Sequence, residues 1–500
     1  MSGPSSEPSP GSSLDPADWD AFRAVAHRLL DASLDRVRDA REGPVWQPVP
    51  AELEAAMSRP LPQAPTATAE VARELAELIL PHGVGNLHPR FFGWVHGAGT
   101  AGGVLAEMVA AALNANSGGR DHGAIRVERQ VLAWAREIMG FPPESSGLLV
   151  SGTSMANLLA VQVARTSFLG PEARSLGVAA ALAAKFPGSR GLTAYTSSAA
   201  HSSVVKALEV AGLGTAALRL IPADADHRLP PAALEAAIGA DREAGYTPFL
   251  VVGTAGTVDI GAVDDLTALR SLARTHRLWF HVDGAFGALL RLSPEHRGRL
   301  AGLEQADSLA FDFHKWAHVP YDAGCLLVRD AGVHRATFGM EPAYLSRATR
   351  GTAAGSPWPC DYGVELSRGA RAVKVWATLR EHGLGRIGAS IAANCRIAAA
   401  LAARIETEPE LELELLAPVP LNIVCFRHHP PGLAGDALDR HNHEVACDVQ
   451  ESGKAVVSTT RIGGKLALRV AVVNHRTTGE DIPILIKAIL DAGRGRVQAG

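Results

Sequence analysis

Residues 278–287 read LWFHVDGAFG, and residues 306–316 read ADSLAFDFHKW. In the first stretch the apolar run Leu278, Trp279, Phe280 and Val282 breaks at Asp283 into the small residues Gly284, Ala285 and Gly287. That pattern predicts a buried parallel strand delivering a carboxylate at its C-terminal end, the edge of an open α/β sheet where ligands bind. Burying a charge there is costly unless a cation meets it, so a cationic partner is expected for Asp283. The second stretch repeats the design: Leu309, Ala310 and Phe311 form a short strand, followed by His314, Lys315 and Trp316. A lysine flanked by aromatic residues at a strand end is poorly placed for solvent.

One chemistry uses both groups. A buried lysine amine forms Schiff bases with carbonyl compounds, and pyridoxal phosphate requires such a lysine together with an acid opposite its ring nitrogen. The acid keeps that nitrogen protonated, so the ring accepts the electrons released when a bond at a substrate α-carbon breaks. At about 4 Å and an effective dielectric near 20, such a pairing is worth roughly 4 kcal/mol before desolvation. Taken singly, Asp283 is more often a structural cap and Lys315 a surface lysine. Only their company favours the catalytic reading.

That company lies upstream in three strand–turn–helix units. LLVSGTSMANLLAVQVAR (148–165) sets Ser151, Gly152, Thr153 and Ser154 between an apolar strand and a helix, where backbone amides and hydroxyls form an anion site; the same residues also serve as ordinary N-caps. AYTSSAAHSSVVKALEVAGLG (194–214) carries His201 at a turn before a helix, and FLVVGTAGTVDIGAVDDL (249–266) opens from a strand into a small-residue loop at Gly253–Thr257. Alternation of strands and helices with polar or glycine-rich turns predicts an α/β fold: a large doubly wound domain with a mainly parallel sheet.

The flanks read differently. Residues 1–16 are rich in Ser, Pro and Gly and are expected to form a disordered tail. Residues 17–85 make an N-terminal helical segment, with one helix from Trp19, a proline-punctuated connector over 48–65 and a second helix near Thr68–Leu80. HGVGNLHPRFFGWVHGAG (82–99) combines rigid rings with glycines, which suits a pocket wall. The large domain is placed at 86–375. Within it, 338–364 is a long aperiodic loop of the kind that forms functional lids or is disordered, and a helix over 365–382 capped by Gly383 leads to a small C-terminal α+β domain at 376–500. There KAVVSTTRIGGKLALRVAVVN (454–474) predicts a hairpin turning at Gly463 and Gly464. Arg469 on its strand could meet a substrate carboxylate, but reads first as a structural ion-pair partner; His428, His429 and the HNH run at 441–443 read as solvated residues.

Composition narrows the function classes. With 47% hydrophobic and 20% charged residues the chain is an ordinary globular one, and a net charge of -4 provides no footprint for nucleic acid or an anionic membrane. The five cysteines are scattered without a CxxC pair, so neither metal nor disulfide framework is expected. A cytoplasmic location fits. The two N-terminal amphipathic helices cannot bury their own apolar stripes, so they are expected to dock on the main body or on another subunit.

Taken in order, the phosphate-type turn, AAHSSVVKA, the small-residue loop, HVDGAFGA and DFHKW resemble the group II pyridoxal-phosphate-dependent amino acid decarboxylases, and the aromatic-L-amino-acid decarboxylases in particular. The resemblance runs from about Thr68 to the C-terminus. It implies the fold type I PLP-dependent transferase fold, a homodimer and a small-molecule amino acid substrate. Lys315 would hold the cofactor as a Schiff base, Asp283 would face the pyridine nitrogen, and His201 and Ala285 would flank the ring. Thr153, Ser154 and His314 would serve the phosphate, with Thr257 beside the cofactor. Tyr344, in PAYL, matches the loop tyrosine that protonates the α-carbon after CO₂ leaves, and Trp94, Val95, His96 and Gly97 match positions facing substrate. Asp312 and Phe313 depart from the Asn and Pro common in the aromatic decarboxylases, which sets an extra anion beside the phosphate. His96 stands where proline is usual.

The activity implied is decarboxylation of an L-amino acid, aromatic by preference, to the amine. Two rivals are decarboxylation-dependent oxidative deamination to an aldehyde, and a cofactor-binding scaffold without turnover. The presence of Tyr344 and His201 favours the amine, and that of Lys315 and Tyr344 argues against the scaffold.

Overall fold

The computed structural model describes residues 13–340 and 348–499. Most of the expected tail, 1–12, lies outside them. The apolar runs build a seven-stranded sheet from β1 (Ser146–Val150), β2 (Leu192–Ser197), β3 (Leu218–Ile221), β4 (Thr247–Thr254), β5 (Trp279–Asp283), β6 (Ser308–Asp312) and β7 (Gly324–Val328). Their order is β1-β7-β6-β5-β4-β2-β3. β3, β2, β4, β5 and β6 pair in parallel, while β7 runs antiparallel between β6 and β1. The reversal follows from chain length. Only residues 313–323 join β6 to β7, too few for the crossover a parallel pair needs.

Every residue of β1, β2, β6 and β7 is buried, as expected of strands covered on both faces. Alternate side chains go to opposite layers. Leu250 and Val252 pack with Val161, Val204 and Leu208 of helices Thr153–Leu169 and Ser203–Val210. Val251, Phe280 and Val282 pack with Ile238 and Leu269 of helices Pro231–Glu243 and Leu266–His276. His281 and Asp283, at the other parity of β5, therefore point toward helix Thr153–Leu169.

The C-terminal part forms a second sheet, antiparallel throughout: β8 (Leu413–Leu415), β9 (Ile423–His428), β10 (Ser458–Ile462) and β11 (Lys465–Ala471), in order β10-β11-β9-β8. The β10–β11 hairpin turns at Gly463 and Gly464, with φ 55° and 82°, the positive pair that a tight two-residue turn demands. Helices Gly435–Glu451 and Asp481–Ala499 cover this sheet. Residues 90–92 join it: Phe92 N–H donates to Val456 O at 2.8 Å, and Ala471 N–H donates to Phe92 O at 2.9 Å.

Several local expectations need correction. The connector over 48–65 contains a helix, Ala51–Met57, with Glu52 and Glu54 in its first turn and Leu53 and Ala56 buried; the surrounding prolines mask so short a pattern. The linking helix begins at Arg371, not at 365, because the Arg368 backbone bonds instead to Asn116 Oδ1 and Ser117 N–H. Gly383 interrupts this helix (φ 65°, ψ 162°), which then resumes and ends at Thr407. His428 and His441 are buried, Nδ1 to Nε2 at 2.8 Å, since β9 carries His428 under helix Gly435–Glu451. Helix Trp19–Arg38, capped by Asp18, buries none of its residues within the chain.

One ion pair ties the linking segment to the helix Gly123–Met139 that precedes β1. The Arg368 guanidinium meets Glu128 with both forks, at 2.7 and 3.0 Å, the two side chains 1% and 2% exposed. Removing one partner of such a pair strands the other charge. Glu128→Ala is expected to lower unfolding free energy by about 3–5 kcal/mol, read as a lower urea midpoint with unchanged slope.

Candidate active site

The C-terminal ends of β1, β4, β5 and β6 and the loop 94–96 surround a cavity of about 540 Å³. Its floor is the turn after β1. There Thr153 begins a helix of 17 residues, so amide N–H groups face the cavity as an anion seat. The buried hydroxyl oxygens of Thr153 and of Thr254, at the end of β4, have no hydrogen-bond partner among the described residues. Buried polar atoms are rarely left so. A ligand carrying acceptor oxygens suits that floor.

Asp283 sits at the centre, 3% exposed. Its partners within the chain are neutral: Oδ2 accepts from Asn157 Nδ2 at 2.8 Å and Oδ1 from Ala285 N–H at 3.1 Å. A carboxylate only accepts, which fixes the polarity of the network behind it. Asn157 must turn its NH₂ to Asp283 and to Ser203 Oγ (3.0 Å), leaving Oδ1 to accept from His281 Nε2 at 2.9 Å. His281 Nδ1 then accepts from Ser308 Oγ at 2.8 Å, and Ser308 Oγ accepts from Trp279 Nε1 at 2.8 Å. This scheme requires a neutral His281, and burial lowers its pKa to about 4. At the near end, His201 Nδ1 accepts from Ser203 N–H at 3.1 Å, so the neutral ring carries its proton on Nε2. Burial also lowers the pKa of His201, against the pull of Asp283.

Lys315 follows β6 in the short helix Phe313–Trp316. Its Nζ lies 3.1 Å from Asp312 Oδ2, so in this structure its counter-ion is Asp312. His314 stands beside Asp312, Nε2 to Oδ2 at 3.6 Å, its pKa lowered by burial. Above them lies an aromatic tier. His96 stacks on Phe91 and Trp94 at 5.8 Å centroid separation and meets Tyr321 edge-on at 6.0 Å; Tyr321 in turn lies 4.3 Å from the His314 ring. Burial lowers the pKa of His96 and raises that of Tyr321 to about 12.

Of the residues named from sequence, Thr153, Ser154, His201, Asp283, Ala285, His314, Lys315, Trp94, Val95 and His96 all line this one cavity. Gly97 does not line it but packs beneath: a Cβ there would strike the carbonyl oxygens of His314 and Lys315. Thr257 is turned away, fully buried, its Oγ1 accepting from Ala262 N–H at 2.9 Å; Thr254 takes its place on the wall. Tyr344 lies outside the described residues. Asn157 and Tyr321 went unrecognised because one is a helix residue with no motif of its own and the other follows DFHKW in an irregular loop. Arg469 lines the cavity while donating to the Val258 and Asp259 carbonyls, not to a carboxylate. Among the described residues, no group of three or more His, Cys, Asp or Glu is arranged to hold a metal ion, and no helix is long and apolar enough to cross a membrane.

Residues 50–429 match the model of the pyridoxal-dependent decarboxylase conserved domain. The chain belongs to the pyridoxal-dependent decarboxylase family. It is 31% identical over 477 residues to an aromatic-L-amino-acid decarboxylase of Bacillus atrophaeus, covering 94% of this chain and 95% of that one. It is also 31% identical over 438 residues to an L-2,4-diaminobutyrate decarboxylase of Rhizobium meliloti (strain 1021), covering 87% and 83%. The crystal structure of Oryza sativa TDC with PLP and tryptamine superposes with a TM-score of 0.86 at 25% identity, over 97% of this chain and all of that one. The fold is thus fold type I, the cofactor pyridoxal phosphate, and the chain a decarboxylase of amino acids. The orphaned hydroxyls, the helix terminus, the strand-end carboxylate and the lysine fit that cofactor.

The network behind Asp283 carries a pH signature. The folded pKa of His281, about 4, lies below the unfolded value near 6.5, so between these limits the unfolded chain binds the extra proton. Stability is whole above about pH 6.5 and falls by up to about 1.4 kcal/mol per pH unit as pH drops toward 4. In His281→Gln, the loss in unfolding free energy between pH 7 and pH 5 is expected to shrink by up to about 2 kcal/mol, measured by urea titration at both pH values.

Proposed function

We propose that the chain converts an L-amino acid, aromatic by preference, to its amine and CO₂. The observation that carries this reading is the tier of Phe91, Trp94, His96 and Tyr321 beside Lys315. A diamino acid would ask for a carboxylate on that wall. Among the described lining residues the only acids are Asp283 and Asp312, both at the floor.

Bound pyridoxal phosphate supplies the electron sink for the pair left when the bond from the α-carbon to the carboxylate breaks. The remaining work falls to this chain. Lys315 Nζ would hold the cofactor. Asp283, oriented by Asn157 and Ala285 N–H, would hold a proton at the ring nitrogen. His201 and Ala285 would flank the ring. Thr153, Ser154 and His314 would hold the phosphate, with Thr254 in the role expected of Thr257. Trp94, Val95, His96 and Tyr321 orient the side chain and exclude water, which strengthens charge interactions inside. Tyr344, by its place in PAYL, delivers the proton to the α-carbon.

The enzyme is proposed to act as a homodimer. Leu105, Met108, Val109 and Leu113 of helix Ala101–Leu113, together with Trp19 and Phe22 of the N-terminal helix, are exposed apolar residues that a second copy would cover.

Mass spectrometry of an equimolar L-amino acid pool, incubated in air with enzyme and pyridoxal phosphate, tests the reaction. An aromatic amine absent with Lys315→Ala is expected; an aldehyde with peroxide, or a non-aromatic amine, overturns the respective half of the reading. The polar atoms of His96 and Tyr321 favour a hydroxylated ring. His96→Phe is expected to lower kcat/KM for a phenolic substrate about tenfold more than for its deoxy analogue, the worth of one buried hydrogen bond.

A further inference from the structure

Asp312 is at odds with the charge of the cofactor this cavity takes. It closes β6, is 2% exposed, and lies on the cavity floor beside Thr153, whose hydroxyl has no partner among the described residues. Its two oxygens have different duties. Oδ1 accepts from Thr153 N–H, the start of the helix that forms the anion seat, at 2.8 Å. Oδ2 has no such anchor and faces Lys315 Nζ at 3.1 Å and His314 Nε2 at 3.6 Å. Cofactor binding changes both sides of that balance. A phosphate monoester brings a charge of about -1.5 to -2 at pH 7, and Lys315 spends its nitrogen on the cofactor aldehyde. The carboxylate meets a second anion as it loses its ammonium partner, a combination that favours the neutral acid.

We propose that Asp312 binds the cofactor phosphate as a proton-sharing partner: one proton is taken from solvent as pyridoxal phosphate binds and is held between Asp312 Oδ2 and a phosphate oxygen. The carboxylate and the phosphate dianion enter, one proton is consumed, and an O–H···O⁻ hydrogen bond replaces a repulsion. No other bond changes at this point. Lys315 releases a proton as its ammonium becomes the imine nitrogen, but it does so equally with pyridoxal. The proton proposed here is the extra one taken up with the phosphorylated form, and the other groups facing Asp312 do not supply it. His314 and Lys315 come from the turn after β6, His201 from the loop after β2, Tyr321 from the loop before β7 and Cys325 from β7. Burial lowers the pKa of His314 and His201, so both are neutral above pH 6.5. Tyr321 is raised to about 12 and Cys325 well above its ordinary value, burial being the main cause for each.

The test compares pyridoxal phosphate with pyridoxal, which shares the chemistry at Lys315 but lacks the phosphate. Affinities for both are measured by absorbance titration of cofactor-free full-length protein between pH 6.5 and 9, for wild type and Asp312→Asn. In wild type the preference for the phosphorylated form is expected to fall toward tenfold per pH unit above about pH 6, where the free phosphate no longer brings its own proton. In Asp312→Asn the preference is expected to be flat. A flat wild-type profile, or the same slope in both proteins, overturns the proposal. A second readout needs no variant: calorimetry of wild type at pH 8 in buffers of different ionisation enthalpy is expected to show about one more proton taken up with pyridoxal phosphate than with pyridoxal. Equal uptake overturns it. Lack of a Lys315-dependent absorbance band with either aldehyde would instead sink the lysine assignment on which the proposal rests, and is seen separately.

Discussion

The hydrogen bond from Asn157 to Asp283 is the constraint around which the centre of the molecule is built. A buried carboxylate without a cation is tolerated only when its lone pairs are met, and here one side-chain amide and one backbone N–H meet them. Asn157 is placed for this by helix Thr153–Leu169, whose first turn is also the anion seat. The same helix thus sets the distance between the acid and the anion seat. Because a carboxylate cannot donate, the polarity runs outward through His281 and Ser308 to Trp279, and inward through Ser203 to His201. The tautomers of two histidines follow from the charge of one aspartate.

The antiparallel return of β7 matters for the same reason. A short link between β6 and β7 keeps residues 313–323 packed over the strand ends. Lys315, His314 and Tyr321 consequently share one tight segment, so the lysine and two rings of the cavity are placed by the same few peptides.

Much of this was legible in the sequence because it is written at strand ends. An apolar run that stops at Asp283, or at Asp312 before Lys315, announces both the strand and the group it delivers. The parity of β5 puts His281 and Asp283 on one face, yet the partner that meets them, Asn157, sits on a helix where an amide has no periodic signature. Thr257 and Thr254 show the limit in another way: a loop of small residues announces a backbone that approaches something, without saying which hydroxyl turns inward. His428 and His441 looked solvated because two polar residues in a local window carry no sign of the helix that buries them. The start of the linking helix was misplaced because the backbone of Arg368 is claimed by Asn116 and Ser117, more than two hundred residues upstream.

The stretch from Arg90 to Gly97 touches both halves of the molecule. At one end its backbone pairs with Val456 and Ala471 beside the C-terminal sheet; at the other, Gly97 rests on the carbonyls of the turn that holds Lys315. Trp94 and His96 lie between, strung across the two layers like a strap. This wall of the cavity is therefore not the property of the large sheet alone. A chimaera that kept every residue of the cavity but exchanged the C-terminal layer for a relative's would move the anchor of that strap, and with it the shape of the opening through which a side chain is chosen.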